Sequence, residues 1–180
     1  MNYCDIYNKS ITSSEEFWKD QANQLEWYNQ PSNILSTDKN GYPLWFADGD
    51  LNACYLAVDK HIQDGYGEQV AIIYDSPVTQ TVKKYTFNEV KTEVAKLASG
   101  LLSLGLEKGD TAVIYMPMIP QAAFAMLACA RIGVTHSVVF GGFASHELAI
   151  RIDDCEPKAI ITASSGIEID RLIAYKPLVD

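Results

Sequence analysis

Three short apolar runs, "TAVIYM" (111–116), "VTHSVVF" (134–140) and "KAIITAS" (158–164), constrain the fold of this chain more than any other feature. None keeps the apolar–polar alternation of a strand wet on one face, and each is too short for a buried helix. Longer segments of helical texture separate them. "QAAFAMLACARI" follows Pro117 and Pro120 and is closed by Gly133, while "HELAIRIDD" follows Ser145, a good N-cap, and stops before Pro157. Strand–helix–strand–helix–strand of this kind predicts a parallel, doubly wound α/β sheet covered on both faces, with right-handed crossovers. Ligands of such sheets gather at the carboxyl ends of the strands. Here those ends are Met116–Pro117, Phe140–Gly141 and Ser164–Gly166.

Upstream, Thr86 and Glu89 form a capping box that opens a helix. Its apolar positions include Phe87, Val90, Val94, Leu97, Leu101 and Leu102, and Gly105 sits where a C′ glycine belongs. "VAIIYD" and "KKYTF" read as short strands, separated by "SPVTQT", a turn or hairpin connection. The texture changes near residue 64, which divides the chain into segments 1–63 and 64–180. The first is rich in aromatic and turn residues. Ser13 with Glu16 predicts a helix from about Ser14 to Trp27, Asn29 to Gly41 reads as loop, and a second helix is predicted over Leu51 to Ile62.

Charge excludes some functions. Asp and Glu total 23 against 14 Lys and Arg, a formal charge of -9, which argues against a nucleic-acid partner. A small anion stays possible, because a few backbone N–H groups outweigh net charge locally. "MNYCDIYNKSITSSEEF" has no basic region leading into an apolar one, and no run reaches the ~18 apolar residues of a membrane span. A cytoplasmic protein without membrane contact is expected. Cys4, Cys54, Cys129 and Cys155 are scattered, and His61, His136 and His146 fall at no zinc-like spacing to them, so reduced, mostly buried thiols and no metal site are expected.

The glycines of "FGGFASHE" fit neither the G-x-G-x-x-G fingerprint nor a P-loop. Two readings stay open: a tight corner using glycine for positive φ or close packing, or a backbone surface that a ligand approaches. His136 reads as a core histidine, His146 lies just inside a helix start, and Asp153 and Asp154 read as a solvated face. No G-x-S-x-G elbow is present, and no catalytic residue is nominated. Arg131 complements a helix dipole and Arg151 reads as a surface charge. Arg171 lies near a strand's carboxyl end, where a guanidinium holds phosphate bidentately or pairs at the surface.

"YMPMIPQAAFAMLACARIGVTHSVVFGGFASHELAIRIDD" strongly resembles the amino-terminal part of AMP-forming acyl-CoA synthetases of the acetyl-CoA and propionyl-CoA synthetase branch. "FWKDQA", "WFADGDLNACY", "AVDKHI", "AIIYDSPVTQT" and "YTFNEV" follow the order of that family, so the resemblance covers nearly the whole chain. "GIEIDRLIAYKPLVD" looks closer to the propionate-type members. The resemblance makes 1–63 a helical, aromatic-rich N-terminal segment and 64–180 the first, incomplete part of an adenylate-forming domain. It implies a ligase in which a short carboxylate attacks ATP to give acyl-AMP and pyrophosphate, and CoA then displaces AMP, with Mg²⁺ required. It also implies that Phe140, Gly141 and Gly142 lie against the CoA nucleotide and that Arg171 binds phosphate.

Departures temper the transfer. Glu168 stands where acetate-type members carry a second CoA-contacting Arg, and Leu56 stands where an Asn is usual. Family enzymes are several times longer and continue into a Ser/Thr/Gly-rich phosphate loop, an acid pocket, adenine-binding motifs and a C-terminal catalytic lysine. The expectation is therefore a truncated N-terminal part that does not activate a carboxylate alone. The alternatives are a non-catalytic CoA- or nucleotide-binding or interaction module, and a gene remnant that self-associates through an uncovered sheet edge.

Overall fold

The computed structural model describes residues 2–142, 144–168 and 171–180, with Phe140 and Glu168 described through their backbones alone. The chain forms two compact units, Met1–Asn52 and Ala53–Asp180.

In the first unit, α1 (Tyr3–Thr12) opens on a capping box made by Asn2 and Asp5. Asn2 Oδ1 accepts from Asp5 N at 3.0 Å, and Asp5 Oδ2 accepts from Asn2 N at 3.3 Å. The sequence reading missed this helix because the pair departs from the usual Ser/Thr–Glu form. Helix α2 (Ser14–Ala22) starts where expected but ends well before Trp27. The Trp27 indole turns back instead, donating Nε1–H to the Ala22 carbonyl at 2.8 Å. The cap expected of Ser13 is absent: at φ -132°, ψ 53° its side chain makes no capping bond. The segment read as loop contains β1 (Leu35–Thr37), paired antiparallel with β2 (Pro43–Trp45). Asp38 Oδ1 closes their turn by accepting from Asn40 N and Tyr42 N, both at 2.8 Å.

The second unit opens on helical turns from Ala53, wound wide as π-type segments at Tyr55–Asp59 and Ile62–Tyr66. The helix expected from Leu51 to Ile62 is present, but no sequence period announces the wider winding. The hairpin follows as expected, β3 (Val70–Ser76) antiparallel to β4 (Thr81–Thr86). Helix α3 (Phe87–Ser103) begins on the expected capping box. Glu89 Oε2 accepts from Thr86 N at 2.8 Å and Thr86 Oγ1 from Glu89 N at 3.2 Å. Val90, Val94, Ala98 and Leu101 form its buried stripe.

Strands β5 (Thr111–Met116), β6 (Thr135–Phe140) and β7 (Ala159–Thr162) make the expected parallel sheet in the order β6-β5-β7. Helices α4 (Pro120–Ile132) and α5 (Ser145–Cys155) are the crossovers. Ala112 to Tyr115 of the central strand are 0% exposed, which explains why the run is apolar without alternation. Their side chains feed two cores. Ala112 packs with Val94, Ala98, Phe124 and Cys129 on one face, and Val113 and Tyr115 pack with Val139, Leu148 and Tyr175 on the other. Ser145 proves to be the first residue of α5, with Ala144 as its cap and no side-chain bond. A further antiparallel pair, β8 (Gly166–Glu168) and β9 (Arg171–Ile173), and the short α6 (Lys176–Val179) close the chain. Val138, on edge strand β6, is 53% exposed.

Arg131 does more than meet the dipole of α4. Its Nη2 pairs with Asp59 Oδ2, and Lys91 Nζ reaches Asp59 Oδ1 at 3.1 Å, tying the π-type segment to α3 and α4. All four cysteines are free: Cys54 and Cys129 are buried, Cys155 is half-buried and Cys4, against expectation, is exposed. Burial pushes the Cys54 and Cys129 thiols up and leaves them poor nucleophiles.

Candidate functional site

A cavity of about 540 Å³ opens at the carboxyl ends of β5 and β6, the place the sheet topology favours for ligands. The chain after β5 supplies Met116 and Pro117, the turn after β6 supplies Gly141 and Gly142, and the first turn of α4 supplies Ala122 and Ala123. Gly166, Ile167, Ile173 and Tyr175 close it from the β8–β9 side. Among the described residues, no charged side chain lines it.

Tyr175 organises this end of the sheet. It is only 5% exposed, and its ring centroid stands 5.1 Å from that of Tyr115 at 51°. Burial pushes the Tyr115 phenol up. The backbone around Tyr175 is tied down: Lys176 N–H donates to Ser164 O at 3.4 Å and Leu178 N–H to Tyr175 O at 3.0 Å.

This tyrosine crowds both strand-end glycines, and Pro117 crowds Gly166 as well. A Cβ at Gly141 would stand 2.2 Å from Tyr175 Oη and 3.0 Å from Met116 O, and one at Gly166 would stand 2.9 Å from Tyr175 Cε2. Neither glycine has a positive φ, so close approach rather than backbone freedom demands them. Of the two purposes weighed for a corner, Gly141 serves packing, and the same turn also lines the cavity.

The sequence-nominated residues divide accordingly. Gly141 and Gly142 come together on the cavity wall. The backbone of Phe140 ends β6 in register with Met116, while its side chain lies outside the described residues. Arg171 is exposed on β9, opposite Glu168 in the register and away from the lining; Ile173, farther along that strand, does reach the cavity. His136 is half-buried, and burial holds its imidazole below the usual range. His146, Asp153 and Asp154 are exposed.

Chemically, the wall is an apolar slot with bare backbone at one side. It fits a planar, uncharged ring better than a phosphate, for which the lining offers no cation. Among the described residues, no three His, Cys, Asp or Glu side chains converge as metal ligands. No helix among them is long and apolar enough to cross a membrane. Tyr175 was the residue that sequence reasoning missed. Its only signal was the presence of glycines at two strand ends, each hinting at a bulky neighbour.

Comparison with known proteins gives a consistent picture. Residues 60–178 match the model of the AMP-binding enzyme family, and residues 3–57 match that of the acetyl-coenzyme A synthetase N-terminus. A Pseudomonas aeruginosa protein described only as uncharacterized is 57% identical over 180 residues, which is 100% of this chain and 29% of that one. The human protein called acyl-CoA synthetase short-chain family member 3, mitochondrial, is 53% identical over 178 residues, 99% of this chain and 26% of its own. The solved structure of acetoacetyl-CoA synthetase from Streptomyces lividans shares the fold, with a TM-score of 0.88 at 23% identity over 99% of this chain and 28% of that one. The chain thus spans less than a third of the length of the curated relatives it matches.

Proposed function

This chain belongs to the AMP-binding enzyme family, and from that premise we propose that it supplies one wall of the CoA site of a short-chain acyl-CoA synthetase. In the proposed reaction, a carboxylate oxygen of acetate or propionate attacks the α-phosphorus of ATP, and pyrophosphate leaves. The CoA thiol then attacks the acyl carbon of the mixed anhydride, AMP departs, and the thiol proton passes to solvent. Mg²⁺ would neutralise the phosphates of ATP during the first step.

The observation that carries this reading is the cavity at the strand ends beside Gly141 and Gly142. Its apolar lining suits the ring of the CoA nucleotide, with the Phe140–Gly142 backbone as the wall. Arg171, exposed on β9, is proposed as the guanidinium that meets a CoA phosphate. The role assigned to these 180 residues is binding. Activating a carboxylate needs positive groups arranged around a transferring phosphoryl, and the cavity lining brings none.

Within the same reading, residues 1–63 form the N-terminal segment and 64–180 the start of the adenylate-forming domain. Small molecules are the partners, with neither nucleic acid nor membrane, and self-association through the β6 edge is the one protein contact proposed. The four free thiols support residence in the cytoplasm.

Calorimetric titration with CoA tests the proposal. The 180-residue protein is expected to bind CoA, and Arg171→Ala to raise Kd about tenfold, the worth of a charge-assisted hydrogen bond near the surface. The Arg171 contribution should shrink as salt is raised. Absence of CoA binding by the unmodified protein would overturn the proposal, and an unchanged Kd for Arg171→Ala would remove Arg171 from it.

A further inference from the structure

We infer that Tyr175 is a positioning residue for this ligand wall: a single aromatic ring sets the spacing between the turns at two strand ends. The inference deepens the CoA reading and rests on it for the identity of the ligand. Its packing half stands on geometry alone.

The two glycine contacts fall on opposite edges of one ring. Gly141 comes up against Oη and Cε1, and Gly166 against Cε2. The ring is therefore wedged between the turn after β6 and the first residue of β8. One face of the wedge is backed by Tyr115, which is 0% exposed in the central strand and cannot yield. The peptide that follows the ring is held at both of its polar groups, Lys176 N–H donating to Ser164 O and Tyr175 O accepting from Leu178 N–H. Neither turn can approach the other without moving this ring, and the ring itself is pinned.

The consequence for binding follows from the position of Gly141. It carries one side of the wall and lines the cavity together with Tyr175. A ligand entering the cavity meets a surface already at its bound spacing, so little ordering remains to oppose association. Removing only the hydroxyl leaves the ring, and hence the spacing, in place. Removing the ring leaves the Gly141 turn without a stop and widens the cavity on that side.

A double-variant cycle tests the wedge. Gly141→Ala should lower the melting temperature by about 5 °C or more, because its Cβ meets Oη within a fixed neighbourhood. In the Tyr175→Phe background the same substitution should cost less than half as much, since the closest contact is gone while those at 3.0 Å to Cε1 and Met116 O remain. CoA titration tests the binding half. Tyr175→Phe should bind CoA within about twofold of the parent, and Tyr175→Ala about tenfold more weakly. Should Tyr175→Ala fail to fold, Tyr175→Leu carries the same comparison, with affinity lost while the melting temperature is largely kept.

Equal cost of Gly141→Ala in both backgrounds would overturn the wedge. Full CoA affinity in Tyr175→Ala or Tyr175→Leu would overturn the positioning role. Failure of the unmodified protein to bind CoA, with the cycle still coupled, would overturn the CoA reading and uphold the wedge.

Discussion

Tyr115→Ala is expected to destabilise the Ala53–Asp180 unit by about 3–5 kcal/mol, the cost of emptying a large, fully enclosed aromatic site. Tyr115 is 0% exposed in the middle strand of the sheet, paired in register with Val139 on one side and Thr162 on the other. Its ring fills the α5 face of the core, against Tyr175 and close to Leu148. Pinned strands on both sides leave the site little freedom to collapse, so a cavity term adds to the lost transfer energy. Domains of this size hold roughly 5–15 kcal/mol in all, so the loss removes a large share. Urea unfolding reads it as a lowered midpoint at unchanged slope. Tyr115→Phe, which keeps the ring, should cost about 1 kcal/mol. A cost below that for Tyr115→Ala would show that this face of the sheet is not the core described.

Asp59→Ala is expected to cost about 2–4 kcal/mol, because it removes the carboxylate that balances a mostly buried guanidinium rather than because the ion pair is itself strongly favourable. The Asp59 side chain is 10% exposed and that of Arg131 25%, while Lys91, at 47%, reaches water when its partner is lost. Exposure of the two cations holds the figure at the lower end of the range for buried pairs. The same logic gives the control. Replacing both charges, as Asp59→Leu with Arg131→Met, should recover most of the loss, since the guanidinium goes with its carboxylate and the half-exposed Lys91 turns to water. Recovery would show that the pair specifies how the π-type segment sits on α4. A double variant as unstable as Asp59→Ala would show instead that the bonds themselves hold it.

How far the sequence could be read differs from element to element, for physical reasons. The parallel sheet was legible because a strand buried on both faces has no polar positions to spare, as β5 demonstrates from Ala112 to Tyr115. The Thr86–Glu89 box was legible because both of its bonds lie within one turn of chain. Caps that depend on the incoming backbone were less so. Ser13 and Ser145 are capping residues by type, but the backbone of Ser13 is not extended, and the chain before α5 makes Ala144 the cap. Long-range partners were not legible at all. Arg131 finds Asp59 from 72 residues away, and nothing in either neighbourhood announces the pair. At the site, the strand ends and their glycines could be placed from pattern alone. What could not be placed was the tyrosine that requires two of those glycines, because close approach between distant segments leaves no periodic trace. Arg171 was raised by its place near a strand's carboxyl end and then by the resemblance, and the fold places it on β9 outside the cavity lining.

Residue-resolved amide NMR of the 180-residue protein titrated with CoA tests the central claim most directly. The expected result is a saturable set of shifts centred on Gly141, Gly142, Gly166 and Tyr175, extending to Arg171 on the neighbouring strand. The central strand's amino end, at Thr111 and Ala112, should stay unmoved, since it lies at the opposite end of the sheet. Shifts confined to other surfaces, or no shifts at CoA concentrations in the millimolar range, would contradict a CoA wall at these strand ends.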